Sequence, residues 1–261
     1  LAIFDLFFFF CNDAVNFLNS AIGAKVAKFR TVLIVASAGV AIGAVMSSGM
    51  MDVARHGIMQ PSNFSFYDVM TIFLAVMVTD VIILDIFNSL GMPTSTTVSL
   101  VFELLGGTFI LAAIKIVGDP SLSFGDLLNT DKALSVIVAI FVSVAIAFVF
   151  GIVVQWLSRI VFTFNYRKHS RWSIAIFGGI AFTALSYFIF LKGMGKSRFI
   201  AEDTRMWIEN NISALIVYTF IGSTIIMEVI HLLKVNVFKF IVMMGTFALA
   251  MAFAGNDLVN F

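Results

Sequence analysis

Eight runs of about twenty mostly apolar residues, divided by short connections that carry the charge, fix the class of this chain. They cover roughly 1–22, 31–50, 68–89, 95–117, 132–158, 172–191, 212–233 and 238–261. A helix of that length matches the hydrocarbon thickness of a bilayer. Lipid offers no partner to a backbone N–H or C=O, so a lone segment must pair them internally, and only a helix does so. A transmembrane β-barrel would show alternating strands of about 10 residues, and none is visible. Composition agrees. Of 261 residues, 61% are hydrophobic and 12% charged, about half the charge of a soluble domain. Too little polar surface is left to face water on all sides. The sequence therefore predicts an all-α, polytopic integral membrane protein with the lipid bilayer as its principal partner.

Several classes fall away at once. The net charge of +1 gives no pull toward nucleic acid. Cys11 is the single cysteine, so an intramolecular disulfide and a cysteine zinc cluster are both excluded. No basic segment or small-residue cleavage site precedes the first apolar run, and the chain reads as a fragment that stops inside an apolar run at Phe261. His56, His169 and His231 are the only histidines. No H-E-x-x-H or G-x-S-x-G occurs, and Glu228-x-x-His231 is a lone E-x-x-H. The chain is expected not to be an enzyme and to need no cofactor.

Charge is sorted by side. If every run crosses, connections 23–30, 159–171 and 234–237 share one side with the turn near 90–94. With Lys239 just beyond, they carry Lys25, Lys28, Arg30, Arg159, Arg167, Lys168, Arg171 and Lys234, and no acid. The opposite connections hold Asp52, Asp68, Asp119, Asp126, Asp131, Glu202, Asp203 and Glu209. The excess of Lys and Arg places the first set in the cytoplasm. The N-terminus is then expected outside, in a multi-pass protein of the cell (plasma or inner) membrane. Asn63-Phe64-Ser65 and Asn211-Ile212-Ser213 match the glycosylation pattern and fall on the outer side.

A hexapeptide is duplicated. Asn12-Asp13-Ala14-Val15-Asn16-Phe17 recurs as Asn256-Asp257-Leu258-Val259-Asn260-Phe261, with five of six positions identical. One copy lies in the first run and the other in the eighth, so they run antiparallel. This predicts an inverted-topology repeat, whose broken or re-entrant helices form a site near the midplane. Asn side chains alone also serve as glue between membrane helices. Asp costs more, about 2.5–3.5 kcal/mol at a helix centre, so Asp13 and Asp257 need compensation, for which a bound cation is one answer. Asn12, Asn16 and Asn19 share one helical face, and Asp13, Asn16 and Ser20 form an adjoining stripe. Amide and carboxylate oxygens suit a hard cation such as Na⁺. Asn12, Asp13, Asn256 and Asp257 are the expected ion-binding residues, with Asp13 and Asp257 as direct sodium ligands.

Gly91-Met92-Pro93-Thr94-Ser95-Thr96-Thr97-Val98-Ser99 separates two apolar runs. Pro suits a first helical turn and Ser or Thr an N-cap, so a helix is predicted to start near Thr94. Its free N–H groups and positive dipole end form an anion site, to which Ser95, Thr96 and Thr97 add hydroxyl donors.

These residues resemble the inorganic phosphate transporter (PiT) family, whose two repeats each carry G-A-N-D-x-x-N followed by P-x-S-T-T-H. Here the first repeat reads Phe10-Cys11-Asn12-Asp13-Ala14-Val15-Asn16, then Pro93-Thr94-Ser95-Thr96-Thr97-Val98. The second begins Ala254-Gly255-Asn256-Asp257-Leu258-Val259-Asn260. The resemblance covers about 1–110 and the last dozen residues. Phe10-Cys11 replaces the small pair, Val98 the His, and Gly39-Val40 stands where the family often has Glu. The resemblance implies a secondary transporter for inorganic phosphate, coupled to sodium or protons, working by alternating access. Sulfate carriage on the same scaffold, or a cation transporter or channel, are the alternatives. It implies a first repeat over 1–117, connecting helices and loops over 118–237 and the start of a second repeat over 238–261. Ser95, Thr96, Thr97, Asn16 and Asn260 would bind phosphate, and Glu103, Asp85 and Asn88 would line the site. A homodimer is left open.

An anion carrier with acids in its membrane runs — Asp5, Asp13, Asp80, Asp85, Glu103, Glu228 and Asp257 — looks contradictory. Cations or protons between carboxylate and phosphate resolve it. Glu103 lies at i+7 and i+4 from Thr96 and Ser99, on one helical face.

Overall fold

The computed structural model describes residues 2–46, 63–119, 121–162, 171–189 and 202–256. Among them lie ten helices and no strand: α1 (Ala2–Gly23), α2 (Phe29–Met46), α3 (Phe66–Leu90), α4 (Thr96–Gly118), α5 (Phe124–Leu127), α6 (Thr130–Phe162), α7 (Arg171–Tyr187), α8 (Glu202–Asn210), α9 (Ile212–Leu232) and α10 (Val237–Asn256). The described part of each apolar run lies mainly within one helix. Five of these are long and apolar enough to cross a membrane: α3, α4 over Val98–Gly118, α6, α9, and α10 over Val237–Gly255. The apolar stretches of α2 and α7 are shorter. Helices α5 and α8 lie in connections the apolar pattern leaves blank. α5 is a single turn, and α8 is too short and polar to register as an apolar run.

The chain divides into two compact units, one from the described parts of 1–15 and 49–151, the other from those of 16–48 and 152–259. In the first unit, α3 packs on α4 through Ile72, Val76, Leu104 and Ala112, with Phe64, Leu127 and Leu128 closing one end. The buried positions of α3 step by four (Ile72, Val76, Asp80, Leu84), giving one narrow stripe. Ser65 caps α3 by accepting from the Asp68 N–H, and its own N–H donates to Asp68 Oδ2 at 2.9 Å. Lys115 at the far end of α4 meets Asp68 at 2.6 Å and lies 5.2 Å from the Phe64 ring centre. The connection beyond is built from local turns. The Ser121 hydroxyl and N–H donate to Asp119 and hold its carboxyl below the usual range, and Ser123 does the same for Asp126.

In the second unit α2 packs on α10 with almost no side chain between them. A Cβ at Gly39 would lie 2.5 Å from the Phe247 carbonyl oxygen, and one at Gly43 would lie closer still to that of Met251. Ala250 and Ala254 face the same seam. Lipid supplies no hydrophobic drive between helices, so small residues that let backbones approach are the means of association. Elsewhere in this unit Met227, Phe162, Ile174 and Val237 form a buried cluster, with the Phe162 ring edge-on to Phe177 and Phe238 at 5.0 and 5.2 Å.

Candidate functional site

The site begins with a helix break. Gly91 adopts the left-handed conformation at φ 67, and its N–H donates to the Asn88 carbonyl while that of Met92 donates to Phe87. This pairing satisfies two of the orphan carbonyls of α3, and glycine takes the conformation without steric cost. Pro93 follows, and α4 starts at Thr96 with Ser95 at its N-cap. The start expected near Thr94 therefore lies two residues further on. The Ser95 hydroxyl is exposed and makes no cap bond to the helix it precedes.

Asn12 of α1 reaches into this break. It is buried, and its Oδ1 accepts from the Thr94 N–H at 2.8 Å. Its Nδ2 donates to Asn88 Oδ1 at 3.0 Å and to the Met92 carbonyl at 3.2 Å. Asn88 in turn donates to the Phe8 carbonyl at 3.0 Å. Two side-chain amides thus fasten the N-D-x-x-N segment to the start of the P-T-S-T-T segment. An amide oxygen has two lone pairs, so Asn12 Oδ1 keeps one acceptor position beyond the Thr94 bond.

The other sequence-predicted residues sit as follows. Asp13 is buried beside Asn12. Asn16 and Asn19 are exposed, although helical spacing puts them on one face with Asn12. Ser95 is exposed, Asn88 and Glu103 are half-buried, and Asp85 is exposed. The backbones of Thr96 and Thr97 open α4 and that of Asn256 ends α10; their side chains, and Asp257 and Asn260 entirely, lie outside the described residues. Among the described residues no group of three or more His, Cys, Asp or Glu is arranged to hold a metal ion.

A second polar cluster lies in the same unit and joins Glu103, expected to line the site, with Asp5 and Asp80. Asp5 of α1, Asp80 of α3 and Glu103 of α4 face one another, and Ser99 donates to Glu103 Oε1 at 2.8 Å. Asp5 and Asp80 are 1% and 0% exposed. Two signals in the sequence bear on it: the Ser99–Glu103 spacing, and the four-residue spacing of Ile72, Val76, Asp80 and Leu84, which sets Asp80 on the buried stripe and Asp85 off it. Nothing local points Asp5 at that stripe.

A family model for the phosphate transporter family matches residues 11–261. The chain belongs to the phosphate transporter family. The match takes in both N-D-x-x-N copies and also 118–235, where no motif is recognisable by eye. Among curated proteins, one named "Putative phosphate permease PF1020" from Pyrococcus furiosus is 27% identical over 187 residues, covering 69% of this chain and 42% of that protein. The chain thus spans less than half the length of this relative. No solved structure matches it. Family membership and the apolar helices together make this phosphate transporter family member a multi-pass membrane protein.

Proposed function

We propose that this chain forms part of a cation-coupled symporter for inorganic phosphate that works by alternating access. One contact carries the reading: the Thr94 N–H bonded to Asn12 Oδ1. It joins the carboxylate-bearing motif to the helix start that offers free N–H groups, so an ion at one lies close to an anion at the other. Asn12, Asp13, Asn256 and Asp257 hold sodium ions or protons. Ser95, Thr96 and Thr97, with Asn16, Asn260 and the dipole end of α4, bind phosphate oxygens. Glu103, Asp85 and Asn88 line the approach. The bound cation offsets the acidic surroundings, so phosphate binds well only when the cation is present. By linkage the phosphate raises cation affinity by the same factor. Two related repeats rocking about the site supply the alternating access.

Uptake of labelled phosphate into proteoliposomes containing the full-length protein tests this. Phosphate affinity should rise with the coupling cation by about 5–150-fold, the usual range of coupling energies. Asp13→Asn should reduce coupled uptake to background while the protein still inserts. Undiminished uptake would remove Asp13 from the site. Sodium flux indifferent to phosphate would turn the reading to a cation pathway, and competition by sulfate alone to a sulfate carrier.

A further inference from the structure

Three carboxyl groups from three helices meet in the interior of the first unit, away from the Asn12 bonds. Neither oxygen of Asp80 receives a hydrogen bond, and the same holds for Asp5 Oδ1 and Glu103 Oε2. Asp80 is fully buried and its side chain is directed between Asp5 and Glu103. The Ser99 hydroxyl donates to Glu103 Oε1. The other charged or titratable groups on these helices do not relieve the cluster. On α1 they are Cys11 and Asp13. On α3 they are Tyr67, Asp68 and Asp85, and on α4 Lys115, which is bound to Asp68. Among the described residues no arginine, lysine or histidine faces the cluster.

Carboxylates in so dry a space, with a single hydroxyl donor and no basic side chain facing them among the described residues, repel one another and lose their hydration. Two facing carboxyls escape by sharing a proton, which turns a repulsion into a hydrogen bond. The pairwise arrangement fits this: Asp80 faces Asp5 on one side and Glu103 on the other. We infer that Asp5, Asp80 and Glu103 form a proton-binding site in which at least one proton is held between facing carboxyl groups. Ionisable groups placed inside membrane segments commonly act as proton carriers. A released proton would leave adjacent negative charges in low dielectric, so release requires water or a cation to enter. Proton occupancy and opening of this unit are thereby linked.

Glu103 also lines the proposed phosphate approach, but the proton site does not depend on that reading and its test does not use transport. Infrared spectra of the protein in lipid at neutral pH, taken in H₂O and D₂O, read the carbonyl stretch of un-ionised carboxylic acid. The band should be present, shift on deuteration, and be lost or reduced in Asp80→Asn. Should that variant fail to fold, Glu103→Gln on the half-buried member should reduce the same band. Absence of the band in the unsubstituted protein, or a band indifferent to both replacements, overturns the assignment. So does loss of the band on adding sodium at constant pH, which would make the cluster a cation site.

Discussion

At the scale of single residues, Asn12 has the most defined work. Its one side chain satisfies the Thr94 N–H, the Asn88 amide oxygen and the Met92 carbonyl. Asn12→Leu fills similar space but leaves these groups unmatched in a dry setting. Each buried group left unpaired costs roughly 1–3 kcal/mol. The thermal unfolding midpoint in detergent should fall by several degrees, whereas Asn19→Leu, at an exposed position on the same helix, should leave it nearly unchanged. Equal midpoints for the two variants would show that the amide bonds do not hold the break in place. Asp13, buried beside Asn12, belongs to the chemistry proposed above. Its replacement by Asn should remove uptake while the protein still inserts.

At the scale of elements, the pairing of α2 with α10 is set by what is missing from the seam. Gly39 and Gly43 stand four residues apart on one face and admit the partner backbone itself. Carbonyl oxygens cannot swing aside as a side-chain tip can. Even Gly43→Ala therefore forces the two helices apart, and Gly43→Leu should prevent the pairing. A disulfide reporter engineered across the seam should form readily in the parent and slowly or not at all in Gly43→Leu. A Cβ at Gly106 would meet nothing within 4 Å, so Gly106→Ala is the matched control and should leave the reporter unaffected. Helix α6 poses a different element-scale question. Its 33 residues span about 50 Å at 1.5 Å per residue, more than the ~30 Å hydrocarbon core. No residue of its most apolar stretch is buried, so lipid or other protein must cover it.

At the scale of the whole molecule, sidedness is the property that charge decides. Lys25 and Lys234 both occupy left-handed positions, at φ 50 and 61, that close α1 and α9. These two basic connections are thus tight turns as well as clusters of charge. The proposed orientation puts these turns in the cytoplasm and the Asp119–Asp126 connection outside. In a Cys11→Ser background, a membrane-impermeant thiol reagent should label Asp126→Cys in intact cells. It should label Lys28→Cys only after permeabilisation. The reverse pattern would invert the orientation while leaving the fold unchanged.

Local forces make much of this protein legible in its sequence. Transfer of apolar side chains into hydrocarbon and the need to pair every backbone group within a segment act residue by residue, so the described part of each apolar run is mainly helical. The break at Gly91–Pro93 is visible in the same way, because left-handed glycine and the missing proline N–H are properties of those residues alone. The duplicated N-D-x-x-N motif points to the family for the same reason. Periodicity gives the face a side chain occupies but not the neighbour it meets. Asn12 finds Asn88 and Thr94 at separations of 76 and 82 residues, and Asp5 finds Asp80 and Glu103 across three helices. Those partners are chosen only when helices pack, because a buried polar group is stabilised by whichever distant group the packing brings to it.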